Sequence, residues 1–225
     1  HLIDIIDPNE NYSVYNFQND FKIAFEKIIS SNKKPILCGG TGLYIESILL
    51  NYPLTDCPPN YKLRKELENK SINELRNLAG KTFNKYANPS EIHNKRRIIR
   101  FIEKLQANIP SDKQIIKITS FIVLGIDYSR EIIRDRITKR LLNRLENGLI
   151  KEVQDLIRDG ITYRKLESLG LEYKYISLYL QKKLNEEELE KKLETAIHRF
   201  AKRQMSWYKR MEKRGVKIHW IKNGN

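Results

Sequence analysis

The sequence predicts an α/β fold: a parallel sheet core layered with helices, interrupted by a helical insertion and followed by a helix-rich C-terminal half. Three observations predict it. Strand and helix patterns alternate over residues 1–50 in the order strand–helix–strand–helix, which favours parallel strands. Pro53, Pro58 and Pro59 then halt regular structure, and a polar helical pattern runs to about residue 109. From residue 115 a β-branched run returns, followed by helices and a last short strand.

Each element follows from its local pattern. Leu2–Ile6 is an apolar run ended by Asp7-Pro8 and is predicted as a strand. Phe17–Ser30 places Phe17, Phe21, Ala24, Phe25 and Ile28 at helical spacing. Lys34–Cys38 is predicted as a short buried strand, Gly39-Gly40-Thr41-Gly42 as a tight turn, and Leu43–Leu50 as the next helix. Residues 115–128 are predicted as strand with a break around Thr119-Ser120. Helices are predicted over 130–147, 148–159, 166–182 and 186–214, and a final strand over Val216–Ile221. The expected organisation is a first part of the core at 1–50, a helical insertion domain at 51–118 and the second part of the core at 119–225.

Charge narrows the partner. Lys and Arg number 42 against 28 Asp and Glu, a net charge of +14, which points to an anionic partner. No apolar run approaches the roughly 20 residues of a membrane span, and Asp4 and Asp7 interrupt any secretory signal. Cys38 and Cys57 lack zinc-ligand spacing and suit a reducing, cytoplasmic compartment; the four histidines also lack ligand-like spacing, so no protein metal site is expected.

The charge is organised most clearly near the C-terminus. Wound as a helix, Thr195–Arg214 puts Ile197, Phe200, Ala201, Met205, Trp207, Tyr208 and Met211 on one arc. Arg199, Lys202, Arg203, Lys209, Arg210, Lys213 and Arg214 fall on the other, with Glu212 the one acid. A solvated helix ordinarily alternates signs. The apolar arc is expected to fix the helix to the body and the basic arc to face a polyanion.

Four further segments could carry chemistry. In P-I-L-C-G-G-T-G-L-Y (Pro35–Tyr44), a strand feeds a glycine turn into a helix N-terminus, which suits a phosphate; the alternative is an ordinary turn whose glycines satisfy geometry. Arg136, Arg140 and Arg144 recur every four residues and form a column fit for diphosphate, or else a solvated or acid-paired face. In N-K-R-R-I-I-R-F-I-E (Asn94–Glu103), Arg96, Arg97 and Arg100 share a face suited to nucleic-acid phosphates, although a charge run is more often solvated. In Glu167–Lys174, Gly170 implies a bend or close approach, and Tyr173 could stack on a base or belong to the core. Gly80-Lys81-Thr82 lacks both the leading glycine and a preceding strand, and is a decoy for a phosphate loop.

Taken together, and in order along nearly the whole chain, these segments resemble the tRNA dimethylallyltransferases, also called tRNA isopentenyltransferases. The carriers are H-L-I-D-I-I-D-P with Y-S-V-Y-N-F, G-G-T-G-L-Y, R-R-I-I-R-F-I-E, S-R-E-x-x-x-x-R-I-x-x-R with G-L-I-K-E-V, and K-R-Q-M-S-W. The resemblance implies a P-loop-NTPase-like, nucleotide- and ATP-binding type of α/β core with a helical insertion. It implies transfer of a dimethylallyl group from dimethylallyl diphosphate to N6 of the adenine 3′-adjacent to the anticodon, in tRNAs reading codons that begin with U. Mg²⁺ would help hold the diphosphate, and the family leans toward monomers.

Carried over by position, Thr41 would lie in the reaction channel and Arg140 would stabilise the departing diphosphate, with Arg136, Gly39 and Gly40 beside it. Contacts to the tRNA anticodon stem-loop would come from Arg64, Arg96, Arg97 and Arg100 in the insertion. Gly170 and Tyr173 would add to them, as would Lys202, Arg203, Gln204, Trp207 and Arg210 in the C-terminal helix. The family's G-x-x-x-x-G-K-[ST] loop and its D-S-x-Q-x-Y Asp do not occur, and the chain begins about where both would have passed. The expectation is a piece of a longer protein, or a shortened one, lacking the main diphosphate cradle and the base. Gly170–Tyr173 also departs from the family's shorter run. Two alternatives stand beside this reading: an adenylate isopentenyltransferase acting on a free nucleotide, and a tRNA-binding chain without catalysis.

Overall fold

The computed structural model describes residues 1–86, 92–109, 118 and 120–222. They form two compact units, His1–Asn51 with Ile116–Asn225, and Tyr52–Ile115.

The first unit opens with α1 (Val14–Ser30), started by a capping box in which Ser13 and Asn16 satisfy each other's backbone. After α2 (Gly42–Leu49) the unit resumes with β1 (Val123–Asp127) and α6 (Arg130–Glu146). Then come α7 (Leu149–Arg158), α8 (Tyr163–Leu169), α9 (Leu171–Leu180), α10 (Glu186–Lys213) and β2 (Ile218–Lys222). The two strands pair in parallel, with Val123 opposite Ile218 and Asp127 opposite Lys222. Gly125 lies under Trp220, whose ring would sit 2.6 Å from any Cβ placed there.

The 28-residue α10 is the spine of this unit. It starts with a second capping box, Asn185 with Glu188, three Glu in its first turn and basic residues in its last, all matched to the helix dipole. Its N-terminal half inserts Leu189 and Leu193 into a core with Leu141, Val153, Ile161, Leu166 and Ile176. Its C-terminal half packs Met211, Trp207 and Tyr208 against Val216, Ile218, Ile45 and Leu49. The predicted apolar arc therefore serves two cores in succession, and Phe200, between them, is 42% exposed.

The second unit holds α3 (Tyr61–Glu68), α4 (Ile72–Tyr86) and α5 (Lys95–Ala107). Leu67, Leu75, Ala79, Phe83, Ile98, Ile99 and Ile102 form its core. Gly80 kinks α4 at φ +78°, a left-handed value glycine adopts without strain, and the decoy Gly80-Lys81-Thr82 lies within this helix.

Four predicted elements need correction. Leu2–Ile6 is not a strand: Leu2 and Asp4 take left-handed φ values of 60° and 54°, which no ladder accommodates. Lys34–Cys38 is irregular, with Ile36 87% exposed, because it has no hydrogen-bonded neighbour strand among the described residues. The helix expected over 166–182 is two helices parted at Gly170. The strand expected over 115–128 narrows to β1; residues 115–117 and 119 lie outside the described residues.

Candidate functional site

The glycine turn and the C-terminal half of α10 form one joint. Thr41 is the N-cap of α2 but makes no side-chain capping bond, so its exposed hydroxyl stays available. The turn is held from the other side. Gln204 donates from Nε2 to the Gly40 carbonyl at 2.9 Å, and the Tyr208 hydroxyl donates to the Gly39 carbonyl at 3.4 Å. The Trp207 ring covers Gly42, and a Cβ there would stand 2.4 Å from Cδ1 of that ring.

This explains the glycines differently from either sequence-based alternative. None of Gly39, Gly40 and Gly42 has a positive φ. Gly42 is required because an indole lies against the backbone, and Gly40 because an amide reaches its carbonyl. At Gly40 the obstructing atom is the end of a flexible side chain; at Gly42 it is a rigid ring. Gly42→Ala is therefore expected to destabilise the protein by about 1–3 kcal/mol through overpacking. Thermal denaturation checks it, with Gly39→Ala, which meets nothing within 4 Å, as the neutral comparison.

The joint is locked by a carboxylate that the sequence reading did not single out. Glu46, fully buried on α2, accepts from Arg210 at 2.8 Å and Arg214 at 3.0 Å. Arg210 also lies 3.9 Å over the Trp207 ring. Two signals were present: a lone acid in the apolar helix G-L-Y-I-E-S-I-L, and arginines four residues apart in α10. Arg210 thus braces the joint while its side chain stays 43% exposed. The basic arc is divided too: Arg199, Lys202, Arg203, Lys209 and Lys213 are exposed, while Arg210 and Arg214, still 43% exposed along their side chains, are ion-paired to the buried Glu46.

The arginine column of α6 also divides. Arg144 is drawn between Glu152 at 3.4 Å and Glu172 at 3.6 Å, acids from two other helices, so it is not part of an acid-free stack. Arg136 is exposed and stacks 4.1 Å over the Tyr128 ring. Arg140 is exposed and has no hydrogen bond or ion pair among the described residues.

In the second unit, Arg64 grips the buried Glu103 with two hydrogen bonds of 2.8 Å. Arg100 bonds Glu103 at 2.5 Å and the Cys57 carbonyl at 2.6 Å, and the Asn60 N–H adds a bond of 2.6 Å to Glu103. Arg64 and Arg100 are therefore fasteners, not free cationic heads; Arg96 and Arg97 are the exposed members of that group. Burial alone would push the Glu103 carboxyl up. The bonds from Arg64, Arg100 and Asn60 outweigh it and hold the carboxyl down at about 2.

A depressed folded value contributes stability that is complete above the ordinary carboxylate range and is lost as pH falls toward 2. Glu103→Gln is expected to cost roughly 2–3 kcal/mol at neutral pH. It should also remove the Glu103 contribution to this unit's acid dependence between about pH 4.5 and 2. Denaturant titrations of both proteins at pH 7 and pH 3 check it; parallel pH dependences would refute it.

Gly170 separates α8 from α9 with extended backbone, and a Cβ there would make only ordinary contact with Tyr173. The Tyr173 hydroxyl donates to Glu152 at 2.6 Å, and that bond together with burial pushes its ionisation up to about 12. Tyr173 is thus tied to the helical core.

Among the described residues no three His, Cys, Asp or Glu come together, and Glu46, the carboxylate of the joint, is already neutralised by two guanidiniums. No helix among the described residues is long and apolar enough to cross a membrane.

With this geometry in place, comparison with known proteins is informative. The IPP transferase family model matches residues 1–211. The chain is 46% identical over 226 residues to tRNA dimethylallyltransferase 1 of Azobacteroides pseudotrichonymphae, covering 98% of this chain and 73% of that protein. Among solved structures it is similar to the full-length tRNA isopentenylpyrophosphate transferase of Bacillus halodurans, with a TM-score of 0.65 and 28% identity over 99% of this chain and 71% of that one. It also shares the fold of a eukaryotic dimethylallyltransferase acting on tRNA, with a TM-score of 0.75 at 21% identity, covering 99% of this chain and 59% of that one.

Proposed function

The chain belongs to the IPP transferase family, and we propose that it transfers a dimethylallyl group from dimethylallyl diphosphate to N6 of the tRNA adenine on the 3′ side of the anticodon. Its P-loop-like α/β fold is that of its solved neighbours. One observation carries the site: the G-G-T-G turn and the K-R-Q-M-S-W helix, distant in sequence, meet through Gln204 on Gly40 and Trp207 on Gly42. A turn braced this firmly presents the Thr41 hydroxyl, which makes no capping bond, as a group against which a base can be positioned.

The reaction breaks the bond from the allylic carbon to the diphosphate oxygen and forms a bond from that carbon to N6; N6 gives up a proton, which passes to the released diphosphate or to water. Negative charge grows on the leaving diphosphate. Arg140, exposed and without a partner among the described residues, can meet that charge, and Arg136, steadied by Tyr128, can assist it. Exposed Lys202 and Arg203, beside the turn-binding Gln204, suit the phosphates flanking the base. The free-nucleotide alternative is not favoured, since the relatives are tRNA dimethylallyltransferases.

The test gives labelled dimethylallyl diphosphate and an unmodified anticodon stem-loop to this chain and to a longer version that carries the G-x-x-x-x-G-K-[ST] loop and the D-S-x-Q-x-Y Asp, neither of which occurs in these residues. Both should bind the stem-loop, and with the longer version label should appear on the adenine 3′ to the anticodon. Binding no tighter than to an unrelated polyanion would overturn it.

A further inference from the structure

A groove of about 690 Å³ runs along the N-terminal half of α10, apart from the glycine turn. Leu171 and Tyr175 of α9 form one wall, and Lys191, Thr195, Arg199 and Arg203 line the other. Those four residues of α10 follow one another at four-residue steps, so they share a face and climb about 6 Å per step.

The charges in this column are not balanced from within. Lys191, Arg199 and Arg203 are exposed, and no ion pair among the described residues holds any of them. Arg203 only rests 5.8 Å over the Phe200 ring. Their neighbour Lys192 is different, being paired with Glu188 at 2.8 Å. Glu187 and Glu188 close the groove at its N-terminal end. At the other end, Arg203 precedes Gln204, the residue that reaches the Gly40 carbonyl. The column therefore leads away from the turn for about 18 Å, twelve residues of helical rise.

We infer that this groove carries the sugar–phosphate backbone of the RNA strand whose base enters at the turn, taking three phosphates on Arg203, Arg199 and Lys191 in that order. The inference rests on the tRNA reading above and adds Lys191, Thr195, Arg199 and Tyr175 to it. Cationic heads at this spacing bind phosphates one at a time, and the Thr195 hydroxyl supplies a neutral donor between them. The Tyr175 and Leu171 wall offers a ribose or base face an apolar surface. The acids at the far end stop the track. Backbone contacts of this kind set the register of the strand and do not read its sequence.

The experiment uses the whole chain for binding, the longer version carrying the diphosphate loop and the base for rates, and the unmodified anticodon stem-loop for both. Lys191→Gln with Arg199→Gln should flatten the plot of log affinity against log salt by about 1.4–1.8, the contribution of two phosphate contacts. The KM for RNA should rise, while kcat at saturating RNA and the KM for dimethylallyl diphosphate stay unchanged. Both side chains are exposed, so the thermal midpoint should stay at the wild-type value. Lys22→Gln with Lys151→Gln makes the same change in net charge at exposed sites elsewhere and should leave the slope unaltered. A wild-type slope in the groove variant, or equal flattening in both doubles, overturns the groove while sparing the transferase reading. Failure of the wild-type chain to bind the stem-loop overturns both.

Discussion

Arg140→Ala is expected to slow transfer by about 100- to 1000-fold, the range for losing one preorganised group that meets developing charge. Affinity for tRNA should be nearly unchanged. The physical case is specific to this position. The leaving diphosphate gains charge as the allylic bond loosens, so a cation fixed beforehand favours the transition state over the bound substrate. Arg140 is exposed and has no ion pair to break among the described residues, so its removal should leave the unfolding midpoint nearly unmoved. Arg144, one turn on, is occupied by Glu152 and Glu172 and should matter less to the rate. Arg140→Lys should recover part of the rate, because it restores the charge without the planar fork. Equal losses in turnover and in tRNA affinity would sink the assignment.

Glu46→Ala is expected to give the largest loss of stability, about 2–4 kcal/mol. The carboxylate is fully buried and accepts from both Arg210 and Arg214. Removing it leaves two guanidiniums converging on a cavity. The cost stays below the upper range for buried pairs because each arginine side chain is 43% exposed and can turn toward water. The consequence extends to function. Arg210 stacks on Trp207, and Trp207 lies on Gly42, so loosening the brace frees the turn that presents Thr41. Transfer should fall together with stability, and Glu46→Gln, which keeps the shape, should do less damage in both. A double-mutant cycle of Glu46→Ala with Arg210→Ala, read by denaturant unfolding, measures the coupling. Strict additivity would mean that the ion pair holds nothing.

Helices were legible wherever the apolar residues kept a 3.6-residue period between clear caps. Val14–Ser30, Arg130–Glu146 and Glu186–Lys213 all end within a few residues of where their patterns place them. The short apolar runs misled. Leu2–Ile6 and Lys34–Cys38 carry strand-forming residues, but a strand exists only when a neighbour completes its ladder, and local composition does not report that. Gly170 was legible as a bend or close approach within one helix, but its extended backbone ends one helix and begins the next.

The candidate site divides along the same line. By itself the sequence determined the family, the helical frame, the strong positive charge and the residue types available for phosphate and RNA. Each of these depends on composition, spacing or motif order along the chain. Only the tertiary structure decided which cations are free. Arg64 and Arg100 close on Glu103, Arg144 on Glu152 and Glu172, and Arg210 and Arg214 on Glu46. Arg140, Lys202 and Arg203 are left to face solvent. Most of these carboxylates sit tens of residues away or on another helix. Periodicity assigns a side chain to a face of its own helix, but what that face meets depends on how the helices pack, which is set by contacts distant in sequence.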